Sequence, residues 1–231
     1  MIALYRLVLF DVGNLLVVDS KDISEYVSES IRSIYGRIVK VDLSKYDGQS
    51  SQDIAEDLLR KDKMPEEEIR LKLKRYTEDL FYTYYNVAGH DRLALTGGAR
   101  ELLAQLWKDD IGIGIATGEV ERIARFRIEK AGILGFFKTG AYGNDGKGPD
   151  DIIKIAVDRA RSELKVDGSG IVLVAGAPHM IRAAKSAGIA AIGVAGAGHS
   201  EEELTSAGAD LVVKSLKERS EILSFLTSSL V

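Results

Sequence analysis

Three side chains of this sequence could handle a phosphate-like anion if folding brings them together: Asp11, Thr117 and Lys147. Asp11 closes the apolar run Leu7-Val8-Leu9-Phe10 and is followed by Val12-Gly13-Asn14. That order places a carboxylate at the C-terminal tip of a buried strand, where ligands bind in open α/β sheets. Thr117-Gly118 ends a second apolar run and leads into a helical pattern opening at Glu119. A hydroxyl and free backbone N–H groups then meet at a helix N-terminus, an arrangement that favours an anion such as phosphate. Lys147, in Asp145-Gly146-Lys147-Gly148-Pro149-Asp150-Asp151, precedes another helix in a loop pliable enough to turn an ammonium into a cleft. Singly, Asp11 reads equally as a turn cap, Thr117 as a helix cap and Lys147 as a surface lysine. Their order along the chain is what points to chemistry.

The elements that must position them alternate. Runs rich in β-branched and aliphatic residues recur at 6–10, 111–116, 170–175, 190–195 and 209–213 without polar alternation, as in strands buried on both faces of a parallel sheet. Between and after them lie helical patterns at 97–108, 119–131, 150–164, 178–187, 200–207 and 216–226. Strand alternating with helix predicts a doubly wound, Rossmann-like α/β core. Residues 19–90 break the rhythm with amphipathic helices at 22–35, 52–61 and 65–84, the last opened by Pro65 and three glutamates suited to a helix N-terminus. The expected organisation is a core of residues 1–15 and 93–231 with an inserted α-helical cap at 16–92. The aromatic segment at 81–85 either packs within that insertion or lines a substrate pocket.

Composition removes other classes of function. The 231 residues are 45% hydrophobic and 29% charged, with a net charge of −4, which gives no electrostatic reason to expect nucleic acid. The basic stretch Lys72-Leu73-Lys74-Arg75 sits among Glu66, Glu67, Glu68, Glu78 and Asp79 and reads as a solvated helix face. No cysteine is present, which excludes a thiolate nucleophile and fits a reducing cytoplasm. His90, His179 and His199 lack metal-ligand spacing. No charged leader and no run of about 18 apolar residues occurs, so a soluble, cytoplasmic protein away from membranes is expected. Gly193-Val194-Ala195-Gly196-Ala197-Gly198 does not have the order or position of a dinucleotide loop.

The order and spacing of Asp11, Thr117 and Lys147, with a helical insertion after the first strand, resemble the haloacid dehalogenase superfamily. Within it the chain is similar to the phosphoglycolate-phosphatase-like subgroup with a helical cap. The resemblance extends over Tyr46-Asp47-Gly48-Gln49-Ser50, Gly98-Ala99-Arg100-Glu101-Leu102-Leu103, the stretch from Val172 to Gly188, and Ala207-Gly208-Ala209-Asp210. It implies that Asp11 is a nucleophile forming an aspartyl-phosphate, that Thr117, with Gly118, binds the phosphoryl group, and that Lys147 holds Asp11 and the phosphate together. It implies a small phosphorylated molecule as substrate and magnesium as cofactor.

The chain departs from that pattern where acids are expected. Gly13 stands where the family usually carries a second aspartate acting as general acid and base, although a Gly-Asn version also occurs. Gly176 and Met180 stand where carboxylates would help bind magnesium, which prefers near-octahedral oxygen coordination. Asp19, Asp145 and Asp150 are the candidate substitutes, and no metal ligand set is assigned. One unit-charge repulsion at about 4 Å costs roughly 4 kcal/mol at an effective dielectric of about 20, or about a thousandfold in rate if uncompensated. Weak or absent magnesium-dependent turnover is therefore expected. Two alternatives stand beside it. One is a degraded relative that binds a phosphorylated ligand or a protein partner. The other is a metal-independent 2-haloacid dehalogenase-like hydrolase, whose substrate anion would need one of Arg32, Arg37, Arg60, Arg70 or Arg75 in the cap.

Overall fold

The computed structural model describes residues 5–18, 23–42, 46, 49–88 and 93–227. Asp19, Asp47, Gly48 and His90, named above, lie outside the described residues. The chain enters through β1 (Leu7–Phe10), turns through the short helix α1 (Gly13–Leu16) into β2 (Val17–Val18), and passes through α2 (Ile23–Tyr35), α3 (Ser51–Lys61) and α4 (Glu66–Ala88). It returns at β3 (Ala94–Leu95), which pairs antiparallel with β2. The remainder alternates: α5 (Ala99–Lys108), β4 (Gly112–Ala116), α6 (Glu121–Lys130), β5 (Thr139–Ala141), α7 (Gly148–Arg159), β6 (Ile171–Ala175), α8 (Pro178–Ser186), β7 (Ala190–Val194), α9 (Glu201–Ser206), β8 (Leu211–Val213) and α10 (Arg219–Thr227).

Six strands form one parallel sheet in the order β5-β4-β1-β6-β7-β8. The period-2 geometry of a strand divides its side chains between two cores. Val8 and Phe10 of β1 and Val172 and Val174 of β6 join α5, α6 and α10 on one face. Leu7 and Leu9, with Ile171, Leu173 and Ala175, join α7, α8 and α9 on the other. All four β1 side chains are fully buried, each aliphatic one contributing about 1.5–3 kcal/mol. The sheet therefore tolerates no polar substitution along β1, and the first residue free to be polar is Asp11. Because β1 sits between β4 and β6, the direction of winding switches at β1, and the crevice for ligands opens beyond its C-terminal end.

The helical insertion has its own core. Tyr26, Val27 and Ile31 of α2 meet Ile54 and Leu59 of α3 and Ile69, Tyr76, Leu80 and Tyr84 of α4, with Val120 and Ile123 from the region around α6. A capping box opens α3, Ser50 accepting from the Asp53 N–H while Asp53 accepts from the Ser50 N–H, worth about 1 kcal/mol. The aromatic segment packs: Tyr84 is buried, and the rings of Phe81, Tyr84 and Tyr85 lie 5.4–6.1 Å from Phe126 of α6.

Four local expectations change. β5 was not foreseen, because Thr-Gly-Ala carries too little apolar surface to register as a strand, and it forms only by pairing with β4 at the sheet edge. The two-residue pair of β2 and β3 is likewise too short to show in a hydrophobic pattern. The helix after β4 begins at Glu121, two residues later than predicted, where Asn144 Oδ1 accepts from the Glu121 N–H at 2.8 Å. α7 begins at Gly148 and ends at Arg159, its final turn widening into a π-helix at Ala160–Leu164.

Candidate active site

Asp11 follows β1 and Thr117 follows β4, and these neighbouring strands are in register, Phe10 opposite Ile115. The two side chains meet: Thr117 Oγ1 donates to Asp11 Oδ1 at 2.8 Å. The Glu119 N–H reaches Thr117 Oγ1 at 3.4 Å, so the bend after β4 is tied to the carboxylate through one hydroxyl. Thr117 is 1% exposed, and a hydrogen bond to an ionised group in such a setting contributes about 1.5–3 kcal/mol. A small cavity of about 180 Å³ opens over Asp11, lined also by Gly13, Thr117, Gly118, Glu119, Ile152, His179 and Met180, with Gln49 and Ser51 from the helical insertion. The junction is close. A Cβ at Gly143 would collide with the Gly118 carbonyl and with Ser50, so glycine there lets the loop after β5 seat against both.

Burial pushes the Asp11 carboxyl above the usual carboxylate range, because the ionised form loses its water. The Thr117 hydroxyl, the His179 imidazole, the Gly13 N–H and the Arg127 guanidinium pull in the opposite direction. Arg127 belongs to α6 and is 5% exposed. Its guanidinium is ion-paired with Glu119 and donates to the Val17 carbonyl at 2.8 Å, clamping the bend after β4 to the strand that leads into the helical insertion.

Lys147 stands elsewhere. It caps α7, its side chain is 72% exposed, and Nζ lies 3.8 Å from Glu56 of α3. It lines a separate cavity of about 440 Å³ together with Tyr46, Asp53, Glu56 and Arg60, and Gln49 borders both cavities. The neighbouring Gly148 N–H donates to Asp53 at 3.2 Å, so the Lys147 loop is held against α3. The structure thus brings Asp11, Thr117 and Gly118 together and leaves Lys147 on the far side of Gln49.

The residues present do not furnish a magnesium site. Gly176 and Met180 offer no oxygen-bearing side chain, and Met180 is packed in the apolar core beneath the cavity. Asp145 is taken by Arg159, at 2.7 and 2.9 Å, and by the Tyr142 N–H. Asp150 lines a distant groove between α7 and α8. The Glu119 carboxylate is engaged by Arg127. Among the described residues, no three acidic, histidine or cysteine side chains converge. The cap arginines fare similarly: Arg32 pairs with Glu29, Arg37 with Asp62 and Arg60 with Glu56 and Glu66, and none of the five borders the Asp11 cavity.

Glu119, Arg127 and His179 are the site groups that the sequence alone did not single out. Glu119 and Arg127 are spaced as helix-surface residues and sit in a stretch of alternating charges. His179 carries one trace, its place in the first turn of α8, which follows β6 at the same edge of the sheet as Asp11.

Comparison with known proteins agrees with this fold. A profile of the haloacid dehalogenase-like hydrolase family matches residues 8–194. Among solved structures, CbbY from Rhodobacter sphaeroides, in complex with phosphate, aligns with a TM-score of 0.74 at 23% identity, over 93% of this chain and 96% of that one. A hydrolase from Pseudomonas syringae aligns with a TM-score of 0.71 at 18% identity, over 97% and 100%. A predicted phosphoglycolate phosphatase from Haemophilus somnus 129pt aligns with a TM-score of 0.69 at 14% identity, over 96% and 99%. No curated protein sequence matches the chain. No described helix is long and apolar enough to cross a membrane. The family profile spans the strand carrying Asp11, the helical insertion and the strand carrying Thr117, and on that ground the chain belongs to the haloacid dehalogenase-like hydrolase family.

Proposed function

We propose that this chain is a phosphatase-type hydrolase of that family, acting through Asp11 on a small phosphorylated metabolite in the cytoplasm, with turnover that gains little from magnesium. The observation that carries this reading is the 2.8 Å hydrogen bond from Thr117 to Asp11 at the switch point of the sheet. In the reaction, an Asp11 carboxylate oxygen attacks phosphorus and the bond to the leaving oxygen breaks; water then releases the phosphoryl group from Asp11. Thr117 and the backbone at Gly118 hold phosphoryl oxygens, and Lys147 leaves Glu56 to join them. Arg127 supplies positive charge toward Asp11, offsetting part of the roughly 4 kcal/mol of carboxylate–phosphate repulsion.

A second reading, binding without turnover, is favoured by one observation: Gly13, Gly176 and Met180 all lie at the crevice without a carboxylate. Among the described residues no cap arginine borders the Asp11 cavity, as the dehalogenase reading would need. The test is phosphate release from a panel including p-nitrophenyl phosphate and phosphoglycolate, with magnesium or chelator, for the wild type and Asp11→Asn. Release that Asp11→Asn abolishes and chelation spares is the expected result. Equal release from both proteins removes Asp11 from the chemistry. Phosphate binding without release favours the second reading.

A further inference from the structure

Lys147 is pinned by its backbone and left loose at its side chain. Its own N–H donates to Asp151 at 2.9 Å within α7, and the next one, that of Gly148, donates to Asp53 of α3 at 3.2 Å. Gly148 has a φ of 66°, in the left-handed region that glycine adopts without strain. The Lys147 ammonium itself is 72% exposed and 3.8 Å from Glu56. A fixed backbone beneath a mobile side chain suits an ammonium that swings through a set arc.

Asp53 is the anchor that comes from outside α7. Its Oδ2 also accepts from the Ser50 N–H at 3.2 Å and from Ser50 Oγ at 2.8 Å. One carboxylate oxygen thus gathers the first turn of α3 and the first residue of α7, two helix ends whose free N–H groups favour an anion. The capping box is complete within α3, so the bond across to Gly148 is not needed to finish that helix. The same stretch of the insertion reaches the Asp11 cavity, where Gln49 and Ser51 form part of the lining. Between them Ser50 is 1% exposed, and a Cβ on Gly143 would stand 2.9 Å from its Cβ. The start of α3 is therefore seated against the core, and Asp53 fixes the Lys147 loop to it.

We propose that Asp53 is the positioning residue for Lys147: by holding the Gly148 N–H to the seated end of α3, it sets the point from which the ammonium swings to the phosphoryl group. This rests on the reading of Asp11 and Lys147 given above. Asp53 makes and breaks no bond in the reaction, and its effect passes through Lys147.

The test is a double-mutant cycle with p-nitrophenyl phosphate. Asp53→Ala is expected to lower kcat/KM about tenfold, as loss of one hydrogen bond to a charged group does. In the Lys147→Met background the same change should cost less than about twofold, which a general weakening of α3 does not explain. Asp53→Asn, whose amide oxygen still accepts from Gly148, should return to within about threefold of wild type. Ser50→Ala breaks the capping box, leaves the Gly148 bond, and should also stay within about threefold. By hydrogen exchange, the Gly148 amide should open at least about tenfold more slowly in wild type than in Asp53→Ala. Should Asp53→Ala not fold, Asp53→Ser, with a side chain one bond shorter, takes its place in the cycle. Wild-type turnover in Asp53→Ala, a matching loss in Ser50→Ala, or an undiminished loss beside Lys147→Met overturns the proposal. If the wild type releases no phosphate, the hydrolase reading falls by itself, and the same cycle is read as the Kd of inorganic phosphate. A loss that vanishes without Lys147 then supports Asp53, and a loss that persists, or none at all, overturns it.

Discussion

The two sides of the crevice beyond β1 are built alike and equipped differently. Phe10 is in register with Ile115 of β4 on one side and with Val174 of β6 on the other, so both neighbouring strands deliver their next residues to the same place. From β4 come Thr117 and Glu119, both bound into a polar network with Asp11 and Arg127. From β6 come Gly176, Ala177 and Pro178, with Met180 buried at 2% exposure. The difference teaches that the strands and the chemistry are set by separate residues. Burial on both faces fixes β1, β4 and β6, whereas the side chains just past their ends are free to change. One half of the site carries a hydroxyl hydrogen-bonded to the Asp11 carboxylate, while Gly176 and Met180 on the other carry no oxygen-bearing side chain.

Breaking the equipped side should have the largest effect. Asp11→Asn is expected to lower phosphate release by more than about a thousandfold, as removal of a nucleophile does, and a stopped assay at high enzyme concentration measures it. Next comes an attempt to equalise the sides. Met180→Asp together with Gly176→Asp places charge in a packed core and should cost about 3 kcal/mol or more, roughly 6–12 °C in Tm for a chain of this size. Magnesium should return part of that loss, read by melting with and without the ion. Thr117→Val removes one hydrogen bond to a charged group, and a loss of about 10- to 100-fold in kcat/KM is expected.

Two smaller effects sharpen the same comparison. Burial raises the Asp11 pKa in the folded protein above its unfolded value. A carboxyl shifted upward costs stability once pH exceeds the unfolded value, and the cost grows until pH passes the folded value. Asp11→Asn should therefore melt higher than wild type at neutral pH, and the gain should shrink on acidification through the ordinary carboxylate range. No gain at neutral pH would mean that the surrounding donors compensate Asp11 fully. The smallest effect concerns Lys147. Its ammonium is exposed and only 3.8 Å from Glu56, which Arg60 holds more closely, so the contact is worth about 0–1 kcal/mol and Lys147→Met should move Tm by under about 4 °C. A tenfold or greater fall in phosphate release beside that small shift would show Lys147 turning toward Asp11 during the reaction.

Much of this architecture was legible in the sequence because buried parallel strands write continuous apolar runs. The runs ending at Phe10, Ala116, Ala175 and Ala195 each lie within a residue or two of an observed strand. Asp11, Thr117 and Gly118 were legible for the same reason, since a strand end fixes where the next residues go. β5 was not, because three small residues gain their structure from β4 rather than from their own burial. Lys147 was placed in the right loop, but its contact with Glu56 depends on how α3 docks, and no local pattern encodes that. The Arg127–Glu119 pair was missed because in sequence it looks like an exposed i, i+8 pair. Only the fold shows that α6 turns Arg127 inward toward Val17.

The central claim is that the β4 side of the crevice handles a phosphate without help from the β6 side. Its most direct test is the rate of phosphate release from p-nitrophenyl phosphate as magnesium is titrated into chelator-treated protein, with Asp11→Asn as the blank. The account predicts a rate above the blank that stays within about twofold across the titration. A rate that is zero in chelator and rises to saturation with magnesium would contradict it, and would require oxygen ligands that Gly176 and Met180 do not supply.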